Sequence, residues 1–197
     1  MKKLRNKIDQ GEVDQLKQNI FSKDWELVKS STNRLVEIGG LEITDFLISL
    51  LSFDSHGIRH QAALALEEIK DNRAVEPLLQ AIFNKQNHNY NAIMVFALTS
   101  LDCSKRLVDI FKILFYESGE AKMYAFTILN EQKFVLKNED IFTIDKMWKD
   151  CIKNPLKCPD YDESREDIQF IVDTYLSYLK PEQIKKKKVI EKSPKKH

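Results

Sequence analysis

The segment from Ile58 to Ile82 constrains the fold of this chain most strongly. Its first half has apolar residues at i, i+3, i+4 and i+7, the spacing of one helix face: Ala62, Ala65, Leu66 and Ile69. Its second half repeats that spacing with Val75, Leu78, Leu79 and Ile82. Asp71 and Asn72 lie between the halves, and either side chain can accept hydrogen bonds from the first free N–H groups of a following helix. The segment therefore predicts two short amphipathic helices joined by a tight turn.

Helices this short are unstable alone in water, so each needs a neighbour to cover its apolar face. The same pattern recurs 31 residues earlier, where Thr44 alone breaks it, and 32 residues later. The earlier copy has Ile38, Leu47, Ile48 and Leu51; the later copy has Ala97, Leu98, Leu101, Leu107, Ile110, Phe111 and Leu114. Three consecutive repeat units are therefore predicted.

The central unit resembles a HEAT repeat of the short bacterial kind, also called phycobilisome-lyase-like. The resemblance is carried by Arg59, Ala62-Ala63, Ala65-Leu66, Ile69, Asp71, Ala74-Val75, Pro77-Leu78-Leu79 and Ala81-Ile82. Glu67 stands where the family often has Gly. The resemblance covers about residues 24–116. It implies an armadillo-like α-solenoid that binds other macromolecules, and it carries no catalytic residues over.

The predicted fold is all-α: a right-handed α-solenoid of about four HEAT-like helical hairpins with capping helices at both ends. We expect a single domain over residues 1–180, with an N-terminal cap at 1–21, repeats at 22–154 and a C-terminal cap helix at 155–180. Residues 181–197 hold seven Lys and two Glu without an apolar pattern, which predicts a disordered Lys-rich tail.

Composition narrows the functional class. The net charge is +1, and because the tail carries +5, the remainder is slightly acidic, whereas nucleic-acid-binding proteins usually have a basic body. No stretch approaches the roughly 20 apolar residues of a membrane span. The three cysteines are widely spaced and form no CxxC pair, which predicts reduced thiols and a cytoplasmic protein.

The resemblance also implies where a partner binds, because the second helices of such hairpins line the concave face. The exposed positions of these helices are Glu42, Asp45, Ser49, Arg73, Glu76, Gln80, Lys105, Val108 and Lys112. The aromatic residues beside them, which could anchor a partner, are Phe83, Phe115 and Tyr116. The competing interpretation is an ordinary solvated surface.

Motifs that would carry chemistry are weak. His56 and His60 are four residues apart, a spacing that could hold zinc, but HExxH is absent and a turn histidine beside a helix histidine is the simpler interpretation. The resemblance also includes DNA glycosylases that use an aromatic-lined concave face, for which Trp25 and Trp148 are the candidates. Both tryptophans lie on apolar helix stripes, however, and are predicted to be core residues. We therefore predict no catalytic residue, no metal and no cofactor.

The sequence favours a non-enzymatic, monomeric protein-protein interaction module of the adaptor, assembly or inhibitory (immunity) type, with another protein as partner and no membrane contact. The alternative is a nucleic-acid-binding HEAT-like protein that uses basic residues of the third repeat and the Lys-rich tail. An enzyme or prosthetic-group chaperone rests on family analogy alone.

Overall fold

The computed structural model describes residues 9–179, and every regular element within that range is helical, as predicted. The described chain divides into two compact units, up to Cys103 (unit 1) and from Ser104 onward (unit 2). The predicted tail at 181–197 lies outside the described residues. The prediction of one domain over residues 1–180 stays a prediction.

Unit 1 contains six α-helices between residues 9 and 103. They are α1 (Gln10–Asn19), α2 (Trp25–Ile38), α3 (Leu41–Leu50), α4 (His56–Ile69), α5 (Val75–Ile82) and α6 (Ala92–Thr99). Short 3-10 turns at Asn72–Ala74 and Lys85–Asn87 flank α5. The two helices predicted for the central segment are present as α4 and α5, joined by the turn at Asn72–Ala74.

Local chemistry sets these boundaries. Asp24 caps α2 by accepting hydrogen bonds from the backbone N–H groups of Glu26 and Leu27. Gly39 and Gly40 separate α2 from α3 with φ of 64° and 92°, a region that glycine enters without steric cost. The guanidinium of Arg59 donates hydrogen bonds to the carbonyl oxygens of Phe53 (2.6 Å) and Asp54 (2.7 Å), which fixes the turn before α4.

The helices of unit 1 pack as a repeat array requires. Helix α4 packs against both α2 and α6, while α1, α3 and α5 pack against α2, α4 and α6 respectively. Ala62, Ala63 and Ala65 are buried on α4, and their small side chains let neighbouring helices approach closely. This arrangement is consistent with the predicted solenoid.

Unit 2 contains α7 (Leu107–Tyr116), α8 (Gly119–Glu131), α9 (Asn138–Lys153) and α10 (Tyr161–Leu176), with a 3-10 turn at Pro155–Lys157. The sequence predicts α8 and α9 as a fourth hairpin, but both pack mainly against α7, and α10 packs against α9. The predicted third hairpin is divided, with α6 in unit 1 and α7 in unit 2.

The core of unit 2 is aromatic. The Phe115 ring stacks on Trp148, with 5.6 Å between centroids, and Tyr175 meets Phe111 edge-on at 5.2 Å. The Trp148 indole N–H donates a 2.6 Å hydrogen bond to Gln169 on α10, so a ring that is predicted to be buried also has a polar partner. The prediction that Trp148 is a core residue is confirmed.

Two sequence predictions are wrong. Trp25 is 43% exposed, because it is the first residue of α2 and lies at the end of the helix; its ring approaches Gly57, where an added Cβ would come within 3.1 Å of it. Cys151 and Cys158 form a disulfide instead of remaining reduced, because the 3-10 turn folds the chain back after α9. Cys103 is buried and lies outside this disulfide, and its Sγ donates to the carbonyl oxygen of Leu98 at 3.6 Å. No helix within residues 9–179 is long and apolar enough to cross a membrane.

Candidate functional site

The structure brings six of the predicted binding residues onto one exposed surface of unit 1. We name this surface the α3–α5 face and define it by Glu42, Asp45 and Ser49 on α3, Arg73 in the turn before α5, and Glu76 and Gln80 on α5. All six side chains are exposed, while Leu47 and Leu78 on the same helices are fully buried. The helical period therefore separates a buried side from a solvent-exposed side at these positions.

Arg73 forms ion pairs with two carboxylates, Asp45 on α3 and Asp71 in the turn before α5. Its Nη1 donates to Asp45 Oδ1 at 2.6 Å, across to α3, and its Nη2 and Nε donate to Asp71 Oδ2 at 2.8 and 3.0 Å. The backbone N–H of Arg73 also donates to Asp71 Oδ1 at 3.0 Å. These hydrogen bonds from Arg73 lower the pKa of Asp71, and the same carboxylate raises the pKa of Arg73. The guanidinium is thus held in place while 40% of the side chain stays open to solvent.

A second network extends the face to α1. Glu42 accepts hydrogen bonds from Lys17 (2.5 Å) and Gln10 (3.3 Å), and these two donors lower its pKa, Lys17 having the larger effect. The Lys17 ammonium also lies 5.3 Å from the centre of the Phe46 ring, within cation–π range. The sequence reasoning missed Lys17, Gln10 and Phe46. The signal was available, since α1 takes the place of a preceding repeat's second helix.

The α3–α5 face combines an Arg with carboxylates, an amide and a hydroxyl, which are hydrogen-bond donors and acceptors of the kind found at binding surfaces. Among the described residues, no group of three or more His, Cys, Asp or Glu is placed to hold a metal ion. The His56 ring instead packs against His60 and Tyr90, each with centroids 4.9 Å away.

The remaining predicted residues give a mixed outcome. Phe83, at the end of α5 in unit 1, is 40% exposed and suits an anchor. In unit 2, Lys105 is exposed, and Lys112 is half-buried and bonded to Asp109 at 3.3 Å. Tyr116 is half-buried, and burial raises its pKa.

The prediction of Phe115 as a surface anchor is wrong. Its side chain is fully buried against Trp148, because α8 and α9 both pack on α7 and leave that side no access to a partner.

Exposed aromatic residues at the turns of unit 1 were also missed. Phe21, in the turn before α2, and Phe53, in the turn before α4, lie with ring centroids 5.1 Å apart. Tyr90, in the turn before α6, is exposed beside His56. Periodicity says nothing about side chains in turns, so no sequence signal identified them.

Comparison with known families supports the predicted HEAT-like repeat in the central segment. Residues 58–84 match the family model described as PBS lyase HEAT-like repeat. No curated protein matches the chain. HEAT-like repeats commonly mediate protein interactions. The matched segment holds α4, the 3-10 turn with Arg73, and α5, so part of the α3–α5 face belongs to it. Residues 58–84 of this chain are therefore similar to a HEAT-like repeat, as the sequence predicts.

Proposed function

We propose that the chain is a non-enzymatic protein-interaction module whose partner protein binds the α3–α5 face. The observation that carries the proposal is Arg73, held between Asp45 and Asp71 yet open to solvent. Arg is enriched among residues that dominate interface energies, and a side chain already fixed loses little conformational freedom on binding.

The mixed charge of the face favours a protein partner over nucleic acid. Glu42, Asp45 and Glu76 surround the single Arg, and such a surface repels a phosphate backbone. The basic residues of the predicted third repeat are also partly neutralised, because Arg106 and Lys112 both bind Asp109. The Lys-rich tail on which the nucleic-acid alternative depends lies outside the described residues.

The test is capture of a partner from native cell extract, followed by affinity measurement with the identified protein. Arg73→Ala should weaken binding about tenfold or more, and Glu76→Ala should weaken it as well, without loss of helical circular dichroism. Arg34→Ala is the matched control, since Arg34 of α2 is a similarly exposed Arg that is bridged to Glu12 on α1 and Glu37 on α2, and it is not one of the residues that define the α3–α5 face. Equal binding by the Arg73 and Arg34 variants would refute the proposed site.

Location and oligomeric state accompany this proposal. A cytoplasmic monomer remains our expectation, and the Cys151–Cys158 disulfide offers a direct check, because cytosolic thiol systems keep such pairs reduced. Rapid acid quenching of cells, alkylation and mass spectrometry would show which form is present. An oxidised pair would place the chain in an oxidising compartment.

A further inference from the structure

A groove in unit 2 has no role in the proposed function. It has a volume of about 410 Å³ and runs between α10 and the non-helical segment 132–137 that follows α8. A second cavity of about 310 Å³ continues it past Phe170 toward Phe126 and Asp167. We name the two together the α10 groove. It lies within unit 2 and shares no residue with the α3–α5 face.

Hydrogen bonds and ring contacts tie the wall and the floor of the groove to the rest of unit 2. The backbone N–H of Val135 donates to the carbonyl oxygen of Ser104 at 2.8 Å, which anchors segment 132–137 to the residue that begins unit 2. On the floor, the buried Tyr175 hydroxyl donates to the carbonyl oxygen of Leu129 at 3.3 Å, and the Phe134 ring packs edge-on against Tyr175. The groove is therefore built into the fold, as binding sites usually are.

Large apolar side chains along this groove are exposed to solvent. Phe170 on α10 is 74% exposed, and Tyr178, in the turn that directly follows α10, is 60% exposed. Leu136 lines the opposite wall with 39% exposure. Phe170 and Tyr178 are eight residues apart in the sequence, a separation that corresponds to about two helical turns. A contiguous exposed patch of this kind marks an interaction surface more often than a random apolar residue does.

The charge of α10 indicates which kind of ligand the groove can bind. The helix carries five carboxylates and one guanidinium. Glu163, Glu166 and Asp167 precede Phe170 by seven, four and three residues, so helical geometry places them on the same side as its ring. Arg165 is turned elsewhere, with its guanidinium 5.9 Å from the centre of the Tyr161 ring. The opposite wall of the groove contributes Lys133.

We propose that the α10 groove binds an amphipathic helix of a partner protein, with apolar side chains two turns apart over Phe170 and Tyr178 and a basic flank along Glu163, Glu166 and Asp167. Helix-in-groove recognition uses apolar anchors at such spacing. The acidic helix selects lysine or arginine on the flank nearest to it, because like charges placed there would repel.

The test uses the full chain and fluorescence anisotropy with a labelled 18-residue leucine–lysine peptide designed as an amphipathic helix. Its counterpart with Glu in place of Lys is the charge control. The basic peptide should bind and the acidic one should not. Phe170→Ala should weaken binding about tenfold or more, and Asp167→Lys should weaken it severalfold. Both positions are exposed, so the fold should tolerate the changes.

Leu156→Ala in unit 2 is the control, since Leu156 is also an exposed apolar side chain but does not line the groove, and it should leave peptide binding unchanged. Failure of the basic peptide to bind, or equal binding by wild type and Phe170→Ala, would overturn the proposal. The Arg73 tests concern a different unit, so either proposal can fail alone.

Two other occupants have distinct signatures. The first is the chain's own basic segment, tested by a variant with Lys185→Gln, Lys186→Gln, Lys187→Gln and Lys188→Gln. If this variant binds the peptide about tenfold more tightly than wild type, the segment competes with the peptide and is the occupant of the groove. If sedimentation shows a dimer that Phe170→Ala dissociates, the occupant is a second copy. Either result overturns the assignment to a partner protein.

Discussion

Unit 1 and unit 2 are both helical, but their cores are built differently. In unit 1 the buried faces are aliphatic and small: Ala62, Ala63 and Ala65 let α4 fit closely between its neighbours. In unit 2 the core consists of stacked and edge-on rings, with Phe111, Phe115, Trp148 and Tyr175 in mutual contact through α7, α9 and α10. Small residues permit the same packing to recur, whereas each aromatic pair specifies one arrangement.

The two units also present their candidate binding surfaces differently. The α3–α5 face of unit 1 is polar and held by ion pairs that link adjacent repeats, such as Arg73 to Asp45. The α10 groove of unit 2 is apolar with an acidic wall. A repeat array offers the same helix face again and again, while the irregular packing of unit 2 opens a groove beside a segment with no regular structure.

The largest expected effect on stability concerns the two tryptophans. The sequence predicts both to be core residues, but only Trp148 is buried. Trp148→Ala should destabilise unit 2 by about 4 kcal/mol, because it removes the stacking partner of Phe115 and leaves a cavity. Trp25→Ala in unit 1 should cost about 1 kcal/mol, since much of that ring is already in water. Hydrogen exchange measured by mass spectrometry would report residues 9–103 and 104–179 separately.

The contrast between aromatic and aliphatic cores would be wrong if both tryptophan variants lost protection equally, or if Trp148→Ala affected the two units to the same extent. In that case the two units would behave as one cooperative structure.

An intermediate effect should come from the disulfide, a feature of unit 2 alone within residues 9–179. The Cys151–Cys158 bridge closes a loop with a sequence separation of 7, and chain-entropy arguments give about 2.5 kcal/mol for a loop of this size. Cys151→Ser with Cys158→Ser should lower the free energy of urea unfolding by that amount, and dithiothreitol should do the same to wild type. The double variant is its own control, because reductant should not change it further.

Prediction from sequence succeeds in this chain where periodicity carries the information. The helical spacing predicts the apolar faces of α4 and α5, and Asp71 and Asn72 predict the turn between them. The same spacing also separates the exposed from the buried positions of the α3–α5 face, because apolar residues recur at the helical period on a helix with one buried side.

Prediction fails where a side chain depends on a second element. Phe115 lies on a helix covered by both α8 and α9, and one helix's period does not reveal how many sides are covered. Trp25 is exposed because it stands at a helix end over Gly57. The spacing of Cys151 and Cys158 is uninformative until the 3-10 turn between them is known. The α10 groove depends on a hydrogen bond between Val135 and Ser104, residues far apart in the sequence.

The smallest expected effect is a change in the stability of unit 2 at high pH, caused by Tyr175. Burial raises the pKa of Tyr175 in unit 2 to about 12, with a further contribution from Tyr178, whereas an unfolded tyrosine titrates near 10. The fold therefore favours the neutral phenol. Its contribution to stability is fully present below pH 10 and is lost as the pH rises through 12. A difference of two units corresponds to about 2.7 kcal/mol, and partial solvent access reduces the expectation to about 1 kcal/mol.

Tyr175→Phe provides the measurement, because it keeps the ring against Phe111 and removes the ionisable group. Urea unfolding followed by Trp148 fluorescence, in a Trp25→Phe background, gives the stability of unit 2 at pH 9 and at pH 11.5. Wild type should lose about 1 kcal/mol more than Tyr175→Phe between these values. Lys122 acts in the opposite direction, since burial lowers its pKa and a rising pH relieves the cost of its buried charge, but it is common to both proteins and cancels. Parallel losses in the two proteins would mean that Tyr175 titrates as it does in water, and that the floor of the α10 groove is open to solvent rather than closed.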